Sequence, residues 1–264
     1  MISIIIPITG PSRIQHVTTC IALLRKQTYT NYEIILVEQI DCDIGNARSK
    51  QVLYKNSNAD KHIVITNKIN HMFNQPWMSN VGAMVANGDK FLFFDADVGV
   101  QKTYLQAVHD FPDPFFFSWQ QCYHYTKHIS AKIHKKRALL RDPNRTMYKA
   151  GIGGHAGYAV CATRDFFFGT LGGYIEDMFG WGGNDQEIMY RSSYFMKHKA
   201  RALPQPIFHM WHGRSYAKAS VMNRRLVRTA RKYPDKVSNR LKKANIGKKS
   251  NPTRIPLSDI LVPA

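Results

Sequence analysis

The chain has 264 residues, 44% of them apolar, enough to bury a sizeable core in one large α/β domain or two smaller ones. No stretch approaches the ~20 consecutive apolar residues of a membrane-spanning helix, which excludes a helical membrane protein. The formal net charge of +19 points instead toward anionic partners.

In chain order, residues 2–8 predict a buried strand. The apolar run before Pro7 has no basic flank, so it reads as a first strand and not as a secretory signal. A helix is expected from Ile14 to Arg25, with Val17, Ile21 and Leu24 on one face. Glu33–Val37 is a second strand ending in Glu38-Gln39, Asn46–Tyr54 a short helix, and His62–Ile65 a third strand. Trp77–Ala86 fits a helix ended by Asn87-Gly88. Phe91–Phe94 is then a strand running into Asp95 and Asp97. Strand–helix alternation over residues 1–100 implies a mostly parallel central sheet covered by helices, a Rossmann-like α/β fold whose first 100 residues form the nucleotide-binding half. Beyond it, 115–119 and 158–161 are expected strands, and 185–194 a helix following a glycine-rich turn. Residues 207–212 form a late strand bearing His209 and His212. A helical segment over 216–243, broken at Pro234, precedes an extended tail from Gly247.

The positive charge is concentrated. Residues 122–149 hold eight Lys/Arg against the single acid Asp142, and residues 214–254 hold fourteen against Asp235, so the remainder is nearly neutral. Such patches attract nucleic acid, acidic glycans or anionic lipid. His124, His128 and His134 alternate with lysines in the first patch and are read as surface charge, not as a metal cluster. Cys20, Cys42, Cys122 and Cys161 are scattered without a Cys-x-x-Cys pair, which suits reduced thiols in a cytoplasm.

Two motifs carry chemistry. Asp95 and Asp97, spaced i, i+2 at the carboxyl end of an apolar strand, lie where open α/β sheets bind ligands, and suit a hard divalent cation bridging nucleotide phosphates. Gly180-Trp-Gly-Gly-Asn-Asp185 puts a carboxylate on a turn of three glycines, which fill no core volume and imply close backbone approach to a ligand. A metal–phosphate site plus a separate base indicates group transfer from a nucleotide-activated donor.

Phe73–Gly82, Phe94-Asp-Ala-Asp97, Gly180–Asp185 and His212, in that order, resemble the GT-A glycosyltransferases. The pattern is similar to that of the β-1,4-galactosyltransferases and the chondroitin and polypeptide N-acetylgalactosaminyltransferases. The resemblance covers about residues 1–215, with 101–215 as the acceptor half, and leaves 216–264 as a basic helical C-terminal extension. It implies that Asp97 and His212 ligate Mn²⁺ (or Mg²⁺), with His209 in the place of a further ligand. It puts Pro7, Arg13, Glu38, Asn80, Asp95, Gly153 and Gly154 around the nucleotide sugar, most simply a UDP-sugar. Trp181 and Asn184 fall on the acceptor side, Asp185 matches the catalytic base, and Glu187 is the reserve base. Asn184 departs from the family's usual Glu, which bears on sugar contacts.

For the acceptor, a strongly basic chain expected to be cytoplasmic suggests a polyanion: a hydroxylated base in DNA, as in phage-type DNA modification. The alternatives are a glycan- or capsule-type transferase at a membrane surface, and a non-enzymatic nucleic-acid-binding protein on a degenerate transferase fold.

Overall fold

The structure, a computed structural model, describes the chain except residues 45, 46, 50, 51, 53, 56, 68–70, 151–155, 181, 214–220 and 254–264. Strand β1 (Ile2–Ile8), buried along its whole length, leads through a 3-10 turn at Pro11–Arg13 into α1 (Ile14–Leu24). Then come β2 (Tyr32–Ile40), a hairpin of β3 (Cys42–Ile44) and β4 (Ala47–Ser49), and β5 (Lys61–Thr66). Helix α2 (Gln75–Val85) starts where Asn74 accepts the Trp77 N–H, and it precedes β6 (Lys90–Phe94) and β7 (Val98–Val100). Next are α3 (Tyr104–Asp110), β8 (Phe115–Phe117), β9 (Gln121–His124), α4 (Lys127–Lys136), β10 (Thr146–Lys149) and β11 (Ala159–Thr163). A π-helical turn at Phe166–Leu171 precedes α5 (Asn184–Met196), β12 (Arg201–Ala202), β13 (Pro206–His209), α6 (Val221–Lys232) and α7 (Pro234–Lys243).

The main sheet has the order β12-β8-β11-β6-β1-β2-β5, and β1 pairs in parallel with both β2 and β6. Period-two alternation divides its side chains between two cores. Ile2, Ile4, Ile6, Leu92, Phe94 and Phe116 face α1 and α3, whereas Ile5, Phe91, Phe93, Phe115 and Phe117 face α2, α5 and the π-helical turn. Each fully buried side chain of this size contributes about 1.5–3 kcal/mol. The apolar strands 2–8, broken only by Ser3, and 91–94 are the consequence of cover on both faces. Helix α2 approaches so closely that a Cβ on Gly82 would lie 2.4 Å from Ile5 Cγ2.

A second sheet, β10-β9-β13-β7, closes over one end of the first. β13 pairs antiparallel with β7 and in parallel with β9, setting His209 opposite both Val98 and His124. The four cysteines are buried thiols.

Three expectations are corrected. The short helix over 46–54 is absent from the described residues, since 47–49 instead pair with 42–44. Ile44 lies opposite Ala47, Asp43 opposite Arg48 and Cys42 opposite Ser49. The late strand ends at His209: the Met210 N–H still donates in register to the Asp97 carbonyl, but the Trp211 N–H leaves the sheet for Ser130 Oγ. His124 and His134 are not surface charge: the first stacks on His209 and the second meets His16 edge-on. Their helix or strand periodicity put them inward, which alternation with lysines concealed.

The basic C-terminal helices pack onto the body. Leu226, Ala230, Val237, Leu241 and Ile246 form a third apolar cluster with Ile175 and Met178. Past α7, Gly247 N–H and Thr253 N–H donate to the buried Glu176 carboxylate at 2.6 and 2.5 Å, and Lys248 carbonyl accepts from the Trp77 indole.

Candidate active site

Strand β6 ends in a tight turn whose Val98 N–H donates to the Asp95 carbonyl, so Asp95 and Asp97 emerge together at the sheet's carboxyl edge. The β7–β13 pairing then sets His209 beside Asp97. His209 Nε2 lies 3.4 Å from Asp97 Oδ1, and His212 Nε2 lies 3.3 Å from Oδ2. One ligand atom from each of the three residues falls within 4.8 Å of the others.

The segment carrying His212 is clamped from behind. His16 Nε2 is 3.1 Å from the Trp211 carbonyl, which accepts its proton, and Trp211 N–H donates to Ser130 Oγ at 2.8 Å. The indole of Trp211 stays 43% exposed beside the site, with the Lys127 ammonium 5.0 Å above its ring. His16 and Ser130 were not legible in the sequence, because neither has a spacing relation to the ligands.

The protonation states fit a cation site. Burial pushes His209 down to about 4, leaving a neutral imidazole with a lone pair. Burial alone would push Asp97 up, but His209, Arg13, His212 and His16 together hold it below its ordinary value. An ionised carboxylate and neutral imidazoles are the forms that ligate divalent ions. Two nitrogen donors suit a first-row transition ion better than Mg²⁺, which prefers oxygen. Three protein donors leave coordination positions open for a ligand.

Asp95 is half-buried and receives the Gln75 amide at 3.1 Å. Burial, then Asp97 and Asp185, raise its pKa, so Asp95 and Asp185 are near enough to repel each other. Asp185 stands in the first turn of α5, where the helix dipole favours a carboxylate. A Cβ on Gly157 would meet Asp185 Oδ2 at 3.3 Å, so that missing side chain gives the carboxylate its room. Burial foremost, with Glu187 adding, raises Asp185 to about 7, contrary to the lowering expected from the dipole alone. Desolvation outweighs the dipole here.

The remaining expected site residues sort clearly. Arg13 reaches Asp97 Oδ2 at 3.0 Å from the 3-10 turn. Pro7 is buried within β1. Glu38 is 1% exposed and engages His62 Nε2 at 2.9 Å. The Asn80 amide, fully buried, is committed to Tyr174 and Glu176 and thus braces the fold behind the cleft. Asn184 is buried, its amide 3.4 Å from Asp185 Oδ1. Glu187 is 0% exposed and bound at 2.7 Å by Arg191, which takes it out of the cleft. Gly153, Gly154 and Trp181 lie outside the described residues.

No protein-family model and no curated protein sequence matches the chain. Among solved structures, the catalytic domain of Drosophila β1,4-galactosyltransferase 7 in complex with xylobiose is 15% identical, with 86% of this chain and 79% of that one covered, at a TM-score of 0.48. The S. aureus TarS 1–349 structure in complex with UDP-GlcNAc is 15% identical, with 87% of this chain covered, at a TM-score of 0.51. The chain spans 66% of that TarS structure. The architecture is therefore that of the GT-A glycosyltransferases, a mostly parallel α/β sheet flanked by helices.

Proposed function

We propose that this protein is a metal-dependent, inverting glycosyltransferase that moves a sugar from a nucleotide sugar, a UDP-sugar first among them, to an acceptor hydroxyl. The observation supporting this reading is the cluster of Asp97, His209 and His212, with Asp95 electrostatically linked to both Asp97 and Asp185, at the sheet edge where such folds bind nucleotides. A divalent cation held by Asp97, His209 and His212 would neutralise charge on the departing diphosphate. Arg13, beside Asp97, adds positive charge on the same side. Asp185, with its pKa near neutrality, takes the proton of the acceptor hydroxyl. The hydroxyl oxygen attacks the anomeric carbon opposite the diphosphate. The new C–O bond forms as the bond to the phosphate oxygen breaks, that electron pair leaves with the nucleotide, and the centre inverts. The exposed Trp211 offers an apolar face beside this reaction volume.

The acceptor reading rests on charge. Arg224, Arg225, Arg228, Arg231, Lys232 and Lys236 are exposed on α6 and α7, which favours a polyanion, with DNA bearing hydroxylated bases as the first candidate. The test is a panel of nucleotide sugars with MnCl₂ or EDTA, each with hydroxymethylated DNA, oligosaccharide or no acceptor. Mn²⁺-dependent release of nucleoside diphosphate, lost in Asp97→Ala and His212→Ala, is expected. Absence of turnover with every donor would sink the transferase reading, and transfer to oligosaccharide alone would sink DNA as the acceptor.

A further inference from the structure

The C-terminal helix α6 reaches the glycine turn before Asp185 with hydrogen bonds from one side chain, Asn223. Asp185 is placed by where α5 begins, and α5 begins after a turn in which Gly180, Gly182 and Gly183 have φ of 73°, 90° and 100°. Glycines adopt this left-handed backbone without strain, but they supply no side chains to hold it. The holding comes from outside. Gly180 N–H donates to the Phe73 carbonyl at 2.7 Å. Asn223 brackets the rest: its amide donates to the Phe179 and Gly182 carbonyls, both at 2.9 Å, and its oxygen accepts the Phe179 N–H at 3.2 Å.

Asn223 is 1% exposed, so these bonds form away from water, where a lost partner is most costly. The approach is close as well. A Cβ on Gly183 would lie 2.9 Å from Met178 Cε, 3.1 Å from Val227 Cγ2 and 3.6 Å from Asn223 Cβ.

The geometry points to Asn223 as a positioning residue for the base: it fixes the glycine turn, and through it the first turn of α5 and the Asp185 carboxylate. This rests on the transferase reading for its kinetic consequence, but not for its structural one. A base displaced by about 1 Å costs on the order of 100-fold in rate, whereas donor and metal binding at the β6 edge would be untouched.

The experiment compares Asn223→Ala and Asn223→Asp with Leu241→Ala, which removes core volume from the same helix pair without touching the turn. Donor hydrolysis with MnCl₂ is measured below the melting temperature of all three. Asn223→Ala and Asn223→Asp should lose about 10- to 100-fold in kcat with KM for the donor within twofold, and Leu241→Ala should keep the wild-type kcat. Wild-type kcat in Asn223→Ala, or a loss equal to that of Leu241→Ala, would overturn the inference. If the wild-type protein turns over no nucleotide sugar, the transferase reading falls on its own. Hydrogen exchange then decides: faster exchange of amides 179–184 in Asn223→Ala, but not in Leu241→Ala, supports the assignment, and unchanged exchange refutes it.

Discussion

Under the mechanism proposed above, Asp185 is the group that sets the pH behaviour of the site. With its folded pKa raised to about 7, the carboxylate is protonated and unable to act as base below neutrality, so turnover should rise with pH through a midpoint at or below about 7. The same shift has a stability consequence of opposite sense. The folded state keeps this proton between the unfolded carboxylate pKa of about 3.9 and 7, so stability falls as pH rises across that window. Asp185→Asn should therefore abolish turnover yet raise the melting temperature at pH 8. Because the group is only half-buried, the gain is on the order of 1–2 kcal/mol, vanishing near pH 4. Thermal melts of both proteins at pH 4 and 8 check the sign. At the cation site, His209→Ala and Asp97→Ala should each weaken Mn²⁺ binding at least tenfold in a direct titration, with Mg²⁺ a poorer substitute throughout.

At the scale of elements, α5 is held to its surroundings through Arg191, whose charge is balanced within the helix by the buried Glu187. Arg191 binds Glu187 and also donates to the Leu171 and Gly173 carbonyls, tying the helix to the π-helical turn. Glu187→Gln leaves that guanidinium buried without its counter-charge and should cost about 3–5 kcal/mol, read as a denaturant midpoint. Its rate per folded molecule should stay near wild type, unlike that of Asp185→Asn. The strands 2–8, 33–37 and 91–94 were legible because two-faced burial writes itself as near-continuous apolar runs, and α2 because Asn87-Gly88 mark its end, while its start at Gln75, just after the Asn74 cap, went unread. The 42–49 hairpin was missed because its strands are three residues long, too short for any period to show. Asp97, Asp185 and the two histidines were visible as motifs. His16, Ser130 and Asn223 were not, because each acts through a tertiary hydrogen bond to backbone that leaves no trace in spacing.

On the scale of the whole molecule, the basic helices belong to the body. Their apolar faces cover Ile175 and Met178, and the segment beyond them is anchored on Glu176. Residues 1–215 expressed alone should expose that surface and lose cooperative unfolding, as followed by circular dichroism and melting. The charge predicts a second whole-molecule property. With +19 overall, binding to the DNA acceptor proposed above should weaken linearly in log–log form as salt rises, with a slope near the number of phosphates contacted. The four sealed thiols supply a third handle. Burial holds Cys161 up at about 12 and raises Cys20 and Cys122 as well, so a maleimide added to the intact protein finds no reactive sulfur. Labelling must wait for the molecule to open, and its pace becomes a clock for breathing of the interior. Under the proposed function, adding Mn²⁺ with UDP should slow that clock.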